Sequence, residues 1–165
     1  MKSIGYLLSL LWRLWFLIVF GIVFICFIPL LFFFTAIYQN NRIVCHLTRY
    51  WSKLTLWLSF IFPKIEWEER LNKKETYIFC PNHISTLDIP FLLAVLPTPL
   101  QFMGKAEIAK LPLFGYFYKN NSVIVERENR KDAYSAFLKA GEKLNTGLSM
   151  CIFPEGGIPK ENVFL

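Results

Sequence analysis

Between Leu14 and Tyr38 the chain carries no charged residue, and no other feature restricts its folding as strongly. At about 1.5 Å of rise per residue, a helix over that stretch is roughly 37 Å long, enough to cross a hydrocarbon core of roughly 30 Å. The apolar part outruns a secretory h-region and no small-x-small cleavage site follows, so the segment is expected to stay as an anchor. Gly21 and Pro29 divide the run, which leaves two arrangements open: a kinked span, or a shallow hairpin that enters and leaves one leaflet. Lys2 and Arg13 flank one end and Arg42, Arg49 and Lys53 the other, so basic charge does not choose an orientation.

The next stretch, RIVCHLTRYWSKLTLWLSFIF over residues 42–62, mixes Arg and Lys with Trp51, Leu54, Trp57 and Leu58. That pattern suits a helix at the headgroup level and equally a second helix buried against the following domain. The sequence turns polar between residues 62 and 75, which divides it into an anchor (1–62) and an α/β unit (63–165). A hydrophobic content of 55% and a mean hydropathy of +0.40 fit that division, since the apolar excess lies at the N-terminus. The net charge of +6 clusters near the anchor and not in an arm with interleaved aromatics. An anionic membrane surface or substrate is therefore the expected partner, and nucleic acid is not. Cys26, Cys45, Cys80 and Cys151 show no C-x-x-C spacing, so neither a metal site nor a disulfide framework is expected.

Beyond residue 75 short apolar runs alternate with helical ones. YIFC (77–80), LQFM (100–103), SVIVE (122–126) and SMCIF (149–153) read as strands apolar on both faces, as buried parallel strands are. Between them KDAYSAFLKAGEKLNTG places Tyr134, Phe137, Leu138 and Leu144 at helical spacing, with Asn145, Thr146 and Gly147 as the stop. A strand, a helix and a strand within about 30 residues is a βαβ unit. The expected fold is α/β, a largely parallel sheet with crossover helices, preceded by the hydrophobic helical anchor.

Such sheets bind ligands beyond the carboxyl ends of their strands, where loops and helix N-termini converge. The residues there are Asn82, His83 and Asp88 after the first strand, Lys105 after the second, Arg127 after the third, and Glu155, Gly156 and Gly157 after the fourth. On one continuous helix, His83 and Asp88 would point about 140° apart. They meet if His83 lies in the strand-to-helix turn and Asp88 in the first helical turn, and Ser85, Thr86 and Pro90 suit that boundary. Asp88 would then accept the Nδ1 hydrogen and leave Nε2 as a base; the alternative is that Asp88 only caps the helix. No G-x-S-x-G elbow is present, and Cys80 lies in an apolar strand with no cation beside it. The simplest chemistry is direct: His83 deprotonates a substrate hydroxyl that attacks an activated carbonyl, with backbone N–H groups facing the oxyanion.

Taken in order, NHISTLD, GKAEIAKLPLFG, VIVER and FPEGG resemble the successive motifs of the glycerolipid acyltransferases, typified by 1-acylglycerol-3-phosphate acyltransferase, over roughly residues 77–157. The resemblance implies acyl transfer from acyl-CoA or acyl carrier protein to a lysolipid hydroxyl at the membrane, with the catalytic domain on the cytoplasmic face. It requires no metal or tightly bound cofactor. It implies His83 as general base and Asp88 as its orienting partner. Arg127 and Lys105 would contact the acceptor phosphate, with Asn82, Glu155 and Gly156 shaping the acceptor site. The chain departs from the family in two ways. Gly157, Ile158 and Pro159 stand where Thr, Arg and Ser usually follow F-P-E-G, and Lys160 offers charge without a guanidinium's bidentate geometry. The sequence also stops at Leu165, where the family continues, so a shortened domain or a fragment is expected. The missing arginine keeps another acceptor, such as an aminoacyl lipid, under consideration, and the early stop a catalytically silent lipid-binding protein.

Overall fold

The computed structural model describes residues 2–126 and 129–158. Helix α1 (Lys2–Phe32) runs without interruption through Gly21 and Pro29 and continues into a π-helical turn over Phe33–Ile37. Its stretch Ile4–Ile37 is long and apolar enough to cross a membrane. The chain reverses only afterwards, where Gln39 adopts φ +50° and the Asn40 side chain accepts the Ile43 N–H at 3.1 Å to start α2 (Asn41–Leu58). A hairpin does form, but its turn follows the apolar run instead of dividing it. Two indoles lock the hairpin shut. Trp12 donates to the Ser59 carbonyl (3.2 Å) and Trp15 to that of Leu58 (3.0 Å), which satisfies carbonyls left open at the end of α2.

The second helix packs on the rest of the protein by one face and exposes the other. Val44, Cys45, Trp51, Thr55 and Leu56 are buried against the rest of the protein, while Tyr50, Leu54 and Trp57 are exposed. Trp51 meets Phe20 and Phe24 edge-on at centroid distances of 4.9 and 6.1 Å, arrangements that add to simple area burial.

The sheet is four-stranded and parallel: β1 (Ile78–Phe79), β2 (Leu100–Lys105), β3 (Ser122–Val125) and β4 (Ser149–Cys151), in the order β1-β4-β2-β3. Between them run α3 (Asp88–Val95), a 3₁₀ turn (Ala106–Lys110), α4 (Phe114–Asn121) and α5 (Arg130–Asn145). The strands are where the apolar runs place them, three of them trimmed at their ends and β2 running two residues farther, to Lys105. On one face Leu100, Phe102, Cys151 and Phe153 pack with Leu93 and Leu96 and with Val19, Val23 and Trp51, so residues from both sides of position 62 share a core. On the other face α5 covers Val123, Val125 and Met150.

The contact face of α5 differs from the expected one. Ala136 and Ala140 are buried, with Ala133 and Leu144 packed beside them, whereas Tyr134, Phe137 and Leu138 are exposed. The helix carries two apolar stripes, and the small one lets its backbone approach the sheet closely; of the four predicted contacts only Leu144 reaches the core.

Cys45 and Cys151 are buried, and burial pushes both thiols from 9.0 up to about 12. Cys45 also donates to the Leu100 carbonyl at 3.3 Å, which ties α2 to β2. With folded-state values raised, the stabilisation from keeping these thiols neutral is complete below pH 9 and is lost as pH rises from 9 toward 12. At pH 8 an alkylating reagent therefore modifies exposed Cys80 and spares Cys45 and Cys151 until the protein is unfolded, as peptide mass mapping will show. Labelling of Cys45 in folded protein would contradict this packing.

Candidate active site

The order β1-β4-β2 brings the loops after these three strands side by side. The first leaves β1 at Phe79, and His83 lies within it before α3 begins at Asp88. His83 Nδ1 lies 2.9 Å from Asp88 Oδ2. That oxygen also accepts the N–H groups of Ile84 (2.8 Å) and Ser85 (2.9 Å). All three donors precede Asp88, so the carboxylate gathers the turn behind it and does not cap its own helix. Ser85 assists, its hydroxyl accepting the Leu87 N–H at 3.2 Å. An acceptor-only carboxylate opposite Nδ1 makes that nitrogen the donor and puts the lone pair of a neutral ring on Nε2. Nε2 has no hydrogen-bond partner among the described residues, and it is not one of the buried unpaired atoms.

The ring rests on an aromatic platform. Phe153 stacks on His83 with centroids 4.0 Å apart and planes inclined by 18°, and Phe102 stacks on Phe153 at 6.1 Å. The sequence places Phe153 at the end of a strand and at the head of FPEGG, without assigning it a contact to His83; its place directly before P-E-G was the available signal. The His83 side chain is 13% exposed and that of Asp88 21%, which shields the pair without sealing it.

From the neighbouring strand, the β4 loop turns at Phe153–Gly156, closed by the Gly156 N–H donating to the Phe153 carbonyl at 3.1 Å. Gly156 adopts φ +75°, a conformation glycine reaches without penalty. The turn aims Glu155 back at the first loop, where its Oε1 accepts the His83 N–H at 3.2 Å, while its Oε2 is buried with no hydrogen-bond partner among the described residues. Glu155 thus holds the backbone of His83 as Asp88 holds its ring. Lys105, exposed at the end of β2, brings its Nζ to 3.1 Å from where a Cβ on Gly157 would sit, so the glycine leaves room for the ammonium. Farther along the same segment, Gly115 is required because a Cβ there would collide with the Ala109 carbonyl. Asn82 is exposed and its side chain makes no hydrogen bond to a described residue. Arg127, like Lys160, lies outside the described residues.

Removing the Glu155 carboxylate frees one hydrogen bond to a charged acceptor, worth about 1.5–3 kcal/mol. Glu155→Ala is expected to lower turnover by about 10- to 100-fold and Glu155→Gln by less, since the amide oxygen can still accept. Equal rates for all three proteins under saturating substrate would show that His83 needs no such support.

A parallel α/β sheet with a carboxylate-oriented histidine beyond its strand ends is a scaffold suited to general-base chemistry, and the comparisons with known proteins say which. A family model described as Acyltransferase matches residues 63–165, and the chain belongs to that family. It is 30% identical over 103 residues to the lyso-ornithine lipid O-acyltransferase of Pseudomonas aeruginosa, a stretch that is 61% of this chain and 39% of that protein. It is 34% identical over 76 residues to the 1-acyl-sn-glycerol-3-phosphate acyltransferase of Helicobacter pylori, covering 46% of this chain and 32% of the relative. The matched stretches thus span well under half of these relatives. The crystal structure of the 1-acyl-sn-glycerophosphate acyltransferase PlsC from Thermotoga maritima superposes with a TM-score of 0.70 at 24% identity. The match covers all of this chain and 66% of that one, and it shows a shared fold.

Proposed function

We propose that the protein transfers a fatty acyl group from acyl-CoA or acyl carrier protein to the hydroxyl of a lysophospholipid, 1-acylglycerol-3-phosphate giving phosphatidic acid. The observation that carries this reading is the 2.9 Å contact between His83 Nδ1 and Asp88 Oδ2, which directs the ring's basic nitrogen away from the carboxylate. His83 Nε2 takes the proton of the acceptor hydroxyl as its oxygen bonds to the thioester carbonyl carbon. The resulting tetrahedral oxyanion collapses, the carbon–sulfur bond breaks, and the imidazolium returns the proton to the leaving thiolate. Lys105 and Arg127 hold the acceptor phosphate, while Asn82, Glu155 and Gly156 shape its surroundings. The chemistry calls for no metal or bound cofactor. Residues 1–62 act as the anchor and 63–165 as the acyltransferase unit, on the cytoplasmic face, so that a bilayer-resident acceptor meets the crevice without passing through water.

A second acceptor class is favoured by one feature. Gly157, Ile158 and Pro159 replace the residues that usually follow F-P-E-G, and one relative acts, by its name, on a lyso-ornithine lipid. Membranes bearing the full chain, given labelled acyl-CoA or acyl carrier protein with a panel of lysolipids, decide between the two. Acylation of 1-acylglycerol-3-phosphate above the aminoacyl lysolipid supports the main reading, and the reverse order supports the second. Folded protein that acylates nothing would leave a silent lipid-binding protein.

A further inference from the structure

At the other edge of the sheet, away from His83, lies a cavity of about 680 Å³. Pro99, just before β2, and Gly147, just before β4, form part of its wall. Four of its residues come from α2: Arg42, His46, Arg49 and Lys53 follow one another at spacings of four, three and four, so they form a single stripe on that helix. Lys73 and Lys74 complete the wall from the segment before β1. No Asp or Glu is among the described lining residues, and the ion pairs among the described residues are Lys64–Glu66 and His83–Asp88, both elsewhere.

Two of these cations are built in place. Arg49 is half-buried and donates through Nη1 to the Pro97 carbonyl (3.2 Å) and through Nη2 to that of Thr98 (3.0 Å). Arg42 lies against Gly147, where its Nη2 occupies the space an added Cβ would need, and donates to the Thr146 carbonyl at 3.4 Å. A guanidinium has five N–H donors, so these bonds leave donors on both groups unused. Burial lowers the Arg49 pKa, which is the cost of holding this charge without a counter-ion. Fixed guanidinium forks with flexible ammonium groups beside them match a phosphate group, which accepts several charge-assisted hydrogen bonds at once.

The geometry points to a second anion site, separate from the acceptor crevice, that binds a phosphate group, supplied by an anionic phospholipid headgroup or as free phosphate. The headgroup is the nearer source. Exposed Tyr50, Leu54 and Trp57 lie along the same helix beside the basic stripe, and α2 packs against the apolar α1, so a lipid phosphate in the cavity has an apolar ridge next to it.

The test uses the full chain in detergent with equal phosphatidylglycerol and phosphatidylcholine, counting retained lipid by native mass spectrometry. Wild-type protein is expected to retain phosphatidylglycerol preferentially. The triple variant Lys53→Gln, Lys73→Gln, Lys74→Gln is expected to lose that preference by about tenfold, as is wild type in about 0.5 M NaCl. None of these three ammonium groups bonds to a described residue, so the variant keeps the fold, which a melting curve verifies. Lys105→Gln, at the acceptor crevice, is expected to retain the preference, which separates this site from the acyltransferase reading. Displacement of the lipid by inorganic phosphate assigns the cavity to phosphate itself; retention against it assigns the cavity to the lipid headgroup. Equal retention by wild type and the triple variant, or loss only in Lys105→Gln, would overturn the site.

Discussion

Replacing His83 by Ala is expected to lower the proposed acyl transfer by about 100- to 10,000-fold, the range that a positioned general base supplies. Under the proposed mechanism the loss is expected on kcat, with KM little changed, because a general base would act on the hydroxyl proton only as the transition state is reached. The substitution also removes the ring stacked on Phe153, so a control that preserves the turn is needed. His83→Asn keeps a donor near the Nδ1 position for Asp88 but has nothing at Nε2. It is expected to match the alanine variant in rate while melting closer to wild type. If either variant turns over at the wild-type rate, the base assignment is wrong, and Cys80→Ala becomes the informative experiment, since a covalent route through that thiol would then have to carry the reaction.

Asp88→Asn is expected to lose nearly as much activity for a different reason. One carboxylate oxygen accepts from the ring and from the N–H groups of Ile84 and Ser85. An amide can present its oxygen to those backbone donors, so the turn survives. Facing the ring, however, it offers a weaker neutral acceptor, or an NH₂ that makes Nδ1 the acceptor and moves the ring proton to Nε2. In the second case the base is occupied before the substrate arrives, and a fall of about 100- to 10,000-fold follows. Nitrogen-15 spectra of the His83 ring report the tautomer directly. A variant with the proton still on Nδ1 and full activity would reduce Asp88 to a structural residue. Asp88→Ala removes all three bonds and should lower the melting temperature as well, which distinguishes orientation of the base from support of the turn.

Much of this arrangement is written locally. A long uncharged run placed in an apolar setting yields a helix, because its backbone polar groups must bond within their own segment. Strands buried on both faces are continuous apolar runs, and their carboxyl ends lead directly to the chemistry. His83 and Asp88 are five positions apart, and a turn into a helix is the local geometry that lets such a pair meet, so the spacing allowed their contact beside the alternative that Asp88 only caps the helix, and the folded turn decided it. Other features depend on partners far along the chain. Ala136 and Ala140, not Tyr134 and Phe137, face the sheet, since closeness of approach outweighed side-chain size. The meeting of Glu155 with the His83 N–H, 72 residues away, follows from β4 inserting beside β1, an order no local pattern encodes. The basic stripe of α2 is visible in the sequence as four spaced residues, but only the packing of α2 against the loops before β2 and β4 turns it into a cavity. The sequence by itself determined which segments are helix or strand and which residues stand at the strand ends, because periodicity and turn chemistry act over a few residues. Tertiary structure alone decided which of those residues share hydrogen bonds, because strand order and helix approach are settled by burial summed over the whole chain.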